Sequence, residues 1–505
     1  MHEAEKTIIR ARKDGISFRL SGRTVEIGYP DGPTFPKDYT DTLAAAVQEL
    51  QASYLAEWPA TGLSMQQRMT DIGLRRFLMG SNNMIVAMAI EGAVDPDAVE
   101  HVTQTIVACH GALRTRYFVP GHECVGLVGP AAADLVEVIP VAGSMDDDRI
   151  EALLTDASPW AFDELQLTDP VHLRGRLYRG EDRSVLILRM PHFVADGNAS
   201  EILYREWTRL FHQPDSRDGT DQTRSNYDEF VRRQGVALIE GDLLDDIDDW
   251  QHVYRNTPSL RVPDRYRPVD GRSGHDNAQI FTLDAGQIDA IRAIARQERL
   301  TPESSLFALL GLALGRWSGQ SSLLIPTMYH GRDTRSAFMT MGLYLVGTLL
   351  PIACPPGDDL MAVMRSTSAR WTMLTRFGGI PSWLALLDVM DSELAMDSRR
   401  TLIANILVNM VPGVQSINTV ETDRTAIAPI RRLRLPPPRI ADPSGGPMYL
   451  LVKGDSTNIV GTIAYNSALV SEAGINDLRA IFADILAESL PRTPERAEQW
   501  ELSAG

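Results

Sequence analysis

The chain is poor in cysteine, in positive charge relative to negative, and in long apolar runs. Its 505 residues include three cysteines, Cys109, Cys124 and Cys354. None belongs to a C-x-x-C pair and an odd number makes no disulfide framework, so a stapled secreted scaffold is excluded. Buried free thiols in a reducing compartment are the expectation. Lys and Arg number 49 against 66 Asp and Glu, for a formal net charge of −17. So acidic a balance argues against nucleic acid, whose backbone needs clustered cations, and against anionic membranes. The longest apolar stretches, Leu306–Leu314 and Tyr344–Cys354, fall short of the roughly 18 residues that span a bilayer. The N-terminus, MHEAEKTIIRARKDG, lacks an apolar signal core. These absences predict a soluble cytoplasmic protein with no metal and no permanently bound cofactor.

What is present is globular. Hydrophobic residues make up 44% and charged residues 23%, and the length suffices for two to four domains at roughly 100–200 residues each. Residues 5–14 read as a short helix that stops at Gly15. Ile16, Phe18 and Leu20 then alternate with polar residues, Ser21-Gly22 signals a turn, and Val25, Ile27 and Tyr29 alternate again, which predicts a β-hairpin. A proline-bearing loop leads to a helix from about Asp38 to Glu57. This α-β-β-α unit, residues 1–57, has no obvious catalytic group, and its hairpin offers an edge to which an extended peptide can add. The rest alternates strand-like runs with amphipathic helices, predicting an α/β (α+β) body of two lobes, 58–245 and 246–505. The polar stretch His212–Asn277 forms the crossover. Thr301 and Pro302 open a buried helix that Gly319 ends.

The chemistry concentrates in Val185–Phe211. Val185–Leu188 is a buried strand, and Ile202, Leu203, Trp207, Leu210 and Phe211 recur at helical spacing. Between them stands Pro191-His192-Phe193-Val194-Ala195-Asp196-Gly197. His-x-x-x-Asp-Gly is expected by chance about 0.04 times in a chain of this composition. His192 and Asp196 therefore leave a core strand just before a helix, where rigid elements present reactive side chains. A neutral imidazole can take a proton near neutral pH. Asp196 can turn inward and pin the loop, and Gly197 suits a tight turn. Taken alone, the same residues also read as a core histidine followed by a turn.

Phe162–Phe211 resembles the condensation domains of nonribosomal peptide synthetases. Gly62–Leu74 (GLSMQQRMTDIGL) is similar to the family's first motif. Ile90–Phe118, with His110, Leu113, Arg114 and Thr115, is similar to its second. Leu300–Asp333, Met341–Pro351 and Val460–Leu469 extend the likeness, which covers about Leu63 to Pro491. The first 57 residues resemble the small β-hairpin docking domains of assembly-line synthetases. The resemblance implies two chloramphenicol-acetyltransferase-like lobes in a V with a tunnel between them. It implies that carrier proteins deliver phosphopantetheine-tethered substrates, that His192 serves the acceptor amine or hydroxyl as it attacks the donor thioester, and that Asp196 pairs with Arg332. The hairpin (Ile16, Phe18, Leu20, Val25, Ile27, Tyr29) would dock the donor carrier's subunit. The acceptor would be a second carrier or a free small molecule. Arg431, Arg432, Arg434 and Arg439, and Arg399-Arg400, are candidates for carrier docking.

Departures from the family pattern are also legible. Pro191 replaces the first of two motif histidines. Val346-Gly347-Thr348 replaces a motif asparagine, which clears space. No adenylation or carrier region follows, so a free-standing condensation enzyme is expected. Met328-Tyr329 stand where an epimerase of the superfamily carries a glutamate. A non-catalytic recruitment domain is the alternative that Pro191 keeps open.

Overall fold

The computed structural model describes residues 3–55, 60–69, 83–118, 125–214, 226–268, 276–354, 360–374, 382–385, 407–411, 430–433, 448–454 and 459–489, a few single positions excepted. Cys124, Arg399, Arg400, Arg434 and Arg439 lie outside the described residues. The backbone divides into two units. The first is Met1–Asp248 with His330–Val346 and Thr419–Ala441, and the second is Asp249–Tyr329 with Gly347–Asn418 and Asp442–Gly505.

The first unit opens with α1 (Glu3–Lys13), β1 (Ser17–Ser21), β2 (Thr24–Gly28) and α2 (Lys37–Tyr54). Gly15 takes φ +84°, the left-handed conformation that ends α1 cheaply only for glycine. The hairpin pairs Phe18 with Ile27 and Leu20 with Val25. Ile16, Phe18 and Val25 are buried, Leu20 and Ile27 are half-buried, and Tyr29 is 44% exposed. The hairpin packs partly on the module's own α2 and partly, through β1, on the helix Asn226–Glu240 outside the module.

Next come β3 (Ala60–Thr61), α3 (Met65–Met69), β4 (Asn83–Glu91), α4 (Pro96–Cys109), β5 (Thr115–Phe118), β6 (Val125–Val128), β7 (Val136–Pro140), α5 (Asp147–Phe162), β8 (Arg174–Arg179), β9 (Arg183–Pro191), α6 (Gly197–His212) and α7 (Asn226–Glu240). Strand Ile430–Leu433, β4, β9, β8 and β7 form one sheet in that order. β4 runs antiparallel to β9 from Asn83↔Pro191 to Glu91↔Arg183. Both strands are apolar without alternation because both faces are covered. Ala87, Ala89, Val185 and Ile187 pack with Ile150, Leu154 and Ala157 of α5. On the other face α6 packs on β4 and on α4. There Trp207 is fully buried and its indole N–H donates to Thr103 Oγ1 at 3.3 Å. Each such large side chain contributes roughly 1.5–3 kcal/mol. Strand Ile430–Leu433 adds to β4 by pairing Ile430 with Ile90 and Leu433 with Ala87.

The N-terminal module is fastened to α7. The Arg12 guanidinium donates to the Phe18 carbonyl at 3.2 Å and to the Ile239 carbonyl, and sits 5.3 Å from the Phe18 ring centre. Lys13 pairs with Asp248 at 3.2 Å.

The second unit is a six-stranded sheet in the order 276–283, 459–466, 448–454, 407–411, 322–329, 346–353. Its first three strands pair antiparallel, and 407–411 runs parallel to 448–454 and to 322–329. Helix Pro302–Ser318 has Thr301 as its N-cap, Pro302 in its first turn and Gly319 at φ +75° as its stop. It is buried almost all round. Among the described residues no helix is long and apolar enough to cross a membrane, and no group of three or more His, Cys, Asp or Glu could hold a metal.

Candidate active site

β9 delivers the loop. Pro191 closes the strand at φ −67°, ψ 141°, angles natural to proline, and a single 3₁₀ turn follows over His192–Val194. The turn is closed by the Ala195 N–H donating to the His192 carbonyl at 3.3 Å. His192 is half-buried.

Asp196 then caps α6. It is 1% exposed, and its Oδ1 accepts from the Ala199 N–H at 2.9 Å and from Arg332 Nη2 at 2.8 Å, while Oδ2 accepts from the Tyr344 N–H at 3.0 Å. The carboxylate is spent on these partners and not on the imidazole. Gly197 differs from expectation. A Cβ there would meet no atom within 4 Å, and Gly197 is absent from the left-handed positions of the chain. Asp196, extended at φ −119°, ψ −175°, makes the turn, so glycine is not sterically required.

Arg332 is equally buried. Nη1 donates to the carbonyls of Ala337 and of Thr340 (2.7 Å), and the guanidinium lies 4.2 Å from the Tyr344 ring centre. This arginine and aspartate stand 136 residues apart in sequence, and both belong to the first unit.

The segment after Arg332 is clamped group by group. The Met341 N–H donates to His110 Nδ1 (3.4 Å), the Gly342 carbonyl accepts from Arg332 (3.4 Å), the Leu343 carbonyl accepts from Tyr227 Oη (3.0 Å), and the Tyr344 N–H donates to Asp196. Gly342 permits this approach, since a Cβ there would come within 2.3 Å of the Tyr227 ring. Because His110 Nδ1 accepts, a neutral His110 carries its proton on Nε2, which faces Glu206 Oε2 at 2.8 Å. Burial pushes the Tyr227 and Tyr344 phenols above their ordinary range, so both remain neutral.

The first motif reaches the same loop from below. Ser64 and Gln67 cap α3 reciprocally, Ser64 N–H to Gln67 Oε1 and Gln67 N–H to Ser64 Oγ, both at 3.1 Å. Tyr117 packs edge-on against Phe193, ring centres 4.9 Å apart, and lies 6.1 Å from His172 on its other side.

His172 lies within the stretch Phe162–Phe211 but was not singled out there. It is fully buried and faces the Thr115 carbonyl through Nε2 at 2.6 Å. Burial lowers its pKa to about 4. The sign follows from proton counting. A base whose pKa is lower when folded binds fewer protons there than in the unfolded chain, so stability is lost as pH falls from about 6.5 toward 4. The full loss is about 3 kcal/mol at 1.36 kcal/mol per pKa unit. His172→Gln, which retains an N–H for Thr115, is expected to remove this part of the acid sensitivity. Melting curves at pH 7.5 and 5 for both proteins check it, and equal acid sensitivity contradicts it.

Arg431 and Arg432 lie on strand Ile430–Leu433 and are partnered within the first unit. Arg431 meets Asp147 at 2.7 Å, and Arg432 meets Glu201 while lying 5.3 Å from the Tyr204 ring centre. Each arginine's charge is thereby partly compensated. Val346, Gly347 and Thr348 are buried, and Thr348 Oγ1 lies 3.4 Å from the Tyr254 hydroxyl.

Comparison with known proteins places this geometry. The chain is 24% identical over 258 residues to tyrocidine synthase 2 of Brevibacillus parabrevis, covering 50% of this chain and only 7% of that protein's length. In structure it is similar to the SgcC5 protein from Streptomyces globisporus, with TM-score 0.63, 18% identity, and coverage of 84% of this chain and 97% of that one. It is also similar to the EpoB cyclization-docking bidomain from Sorangium cellulosum, with TM-score 0.63, 14% identity, and coverage of 96% of this chain and 98% of that one. The family model for the condensation domain matches residues 60–419, well over half of the chain. With His192, Asp196 and Arg332 all inside that match, the chain belongs to the condensation-domain family, acyltransferases that form amide or ester bonds.

Proposed function

We propose that this protein is a free-standing condensation enzyme of nonribosomal peptide or hybrid polyketide biosynthesis. It would join an acyl or aminoacyl thioester, carried on the phosphopantetheine arm of a carrier protein, to an amine or hydroxyl acceptor that is carrier-bound or free. The observation that carries this reading is the half-buried His192 on a loop whose aspartate is wholly engaged elsewhere. The imidazole would accept or hydrogen-bond the acceptor's proton while the acceptor's nitrogen or oxygen attacks the thioester carbonyl. A C–N or C–O bond forms, the C–S bond breaks, and the phosphopantetheine thiol leaves with a proton. The likeness to nearly the whole SgcC5 chain supports the free-standing form. The favourable geometry of Pro191 weighs against the recruitment-domain alternative, because proline ends the strand without distorting it. Incubation with a loaded donor carrier and an acceptor, followed by mass spectrometry of the product, tests the activity.

In this reading the N-terminal module captures the donor subunit, and Arg431, more than half exposed in its side chain, is the better candidate of the two described arginines for touching a carrier. The likeness to a cyclization-docking bidomain over 96% of this chain supports a docking role for the module. Tethering raises the effective donor concentration to about the millimolar range. Deleting residues 1–57 is therefore expected to raise the apparent KM for the donor carrier and to leave kcat nearly unchanged at saturation. Because Arg12 binds the Ile239 carbonyl, the deletion also uncovers part of α7, and a melting curve reads that loss separately. Superimposable donor titrations would contradict the docking role.

A further inference from the structure

Gln67 does more than cap a short helix. Its side chain is fully buried. The acceptor end is fixed by the Ser64 N–H, which needs an oxygen, so Oε1 sits there. Nε2 therefore points the other way, where it donates to Tyr117 Oη at 3.0 Å and to the Phe193 carbonyl at 3.1 Å. Phe193 follows His192 directly, and its ring is the one that Tyr117 meets edge-on. The histidine's own turn is closed by a single long bond of 3.3 Å, so the turn alone holds the imidazole weakly. Gln67 grips the backbone oxygen one residue beyond the imidazole and, through Tyr117, the neighbouring ring as well.

We propose that Gln67 is a positioning residue for His192, fixing the peptide on which the imidazole is carried through its buried Nε2 donor. The inference rests on the acyl-transfer reading of His192. A displacement of about 1 Å in a reacting group can cost on the order of 100-fold in rate, so the loss of this grip should show in turnover and not in carrier binding.

Two variants separate positioning from helix capping. Gln67→Glu keeps an oxygen for the Ser64 N–H and so keeps the cap, but its ionised carboxylate cannot donate to Phe193. Gln67→Leu keeps bulk and loses every polar contact. Both are expected to lower kcat by about 10–100-fold with the donor-carrier KM within about twofold. The Gln67→Glu defect, measured as a ratio to wild type, should shrink as pH falls and the carboxyl gains a proton that it can donate to Phe193. The Gln67→Leu defect should not. A purely structural role would give the two variants the same pH behaviour.

Hydrogen exchange supplies a readout that needs no activity. Amides of the 192–196 loop should exchange about tenfold faster in Gln67→Leu, with those in the body of α6 unchanged. Unaltered loop exchange together with wild-type kcat would overturn the inference. If the wild-type protein formed no product with any loaded carrier, the acyl-transfer reading would fail, and faster loop exchange would still show that Gln67 holds His192 in place.

Discussion

His192→Ala is expected to lower product formation by about 10²–10⁴ while the protein remains folded, the typical effect of removing a positioned acid or base. The fold retention follows from where the side chain stands. His192 is half-buried, while the residues that secure the loop, Val194, Ala195 and Asp196, are buried on the far side. The Asp196 carboxylate takes its bonds from Ala199, Arg332 and Tyr344, so truncating the imidazole leaves that network whole. The measurement is a single-turnover assay with a loaded donor carrier, paired with a melting curve. A folded variant that turns over at the wild-type rate would remove His192 from the chemistry.

The second large effect belongs to the buried ion pair. The Arg332 and Asp196 side chains are 0% and 1% exposed. Intact, such a pair adds little net stability, because desolvation offsets most of the attraction. Breaking it is another matter. Asp196→Ala leaves a buried guanidinium uncompensated, at a cost of about 3–5 kcal/mol, and removes the α6 cap, worth about 1 kcal/mol more. The variant should unfold at clearly lower temperature or denaturant concentration, and its activity should fall as a consequence. Asp196→Asn should lie between, since its side-chain oxygen can still cap α6 or accept from Tyr344 while the charge is gone. An Asp196→Ala melting curve that coincides with wild type would mean that the pair does not stabilise the folded chain.

Local chemistry was readable from the sequence, and distant chemistry was not. Thr301, Pro302 and Gly319 signal the ends of helix Pro302–Ser318 because capping acts within a few residues. The unbroken apolar run Val185–Leu188 announces a strand covered on both faces. The alternation around Ser21-Gly22 announces the hairpin. His192, Asp196 and Arg332 were found through motif likeness, and their meeting depends on a contact across 136 residues that no spacing rule supplies.

His110 was named within a motif but its bond to the distant Met341 N–H was not legible, and His172 and Tyr227 were not singled out at all. Each acts on the backbone of a residue far along the chain, and a side chain that bonds a remote carbonyl or amide leaves no periodic trace. Gln67 lay inside a quoted motif, yet its donor role needed the Phe193 carbonyl to be placed beside it. Strand Ile430–Leu433 is four residues long and completes a sheet begun at β4, so hydropathy could not assign it to the first unit. Gly197 misled in the opposite direction. Its residue type suits a tight turn, whereas the chain enters α6 through Asp196 in an ordinary extended conformation and a Cβ at Gly197 would meet nothing within 4 Å.

The central claim is that this protein moves an acyl group from a carrier thioester to an amine or hydroxyl by way of His192. The most direct measurement follows the intact mass of the donor carrier after mixing with the enzyme and an acceptor. The account predicts that the carrier loses its acyl group, that a product of matching mass appears, and that His192→Ala slows both by at least about 100-fold. A carrier that keeps its acyl group with amine and hydroxyl acceptors alike, or loses it equally fast with the folded His192→Ala protein, would contradict it.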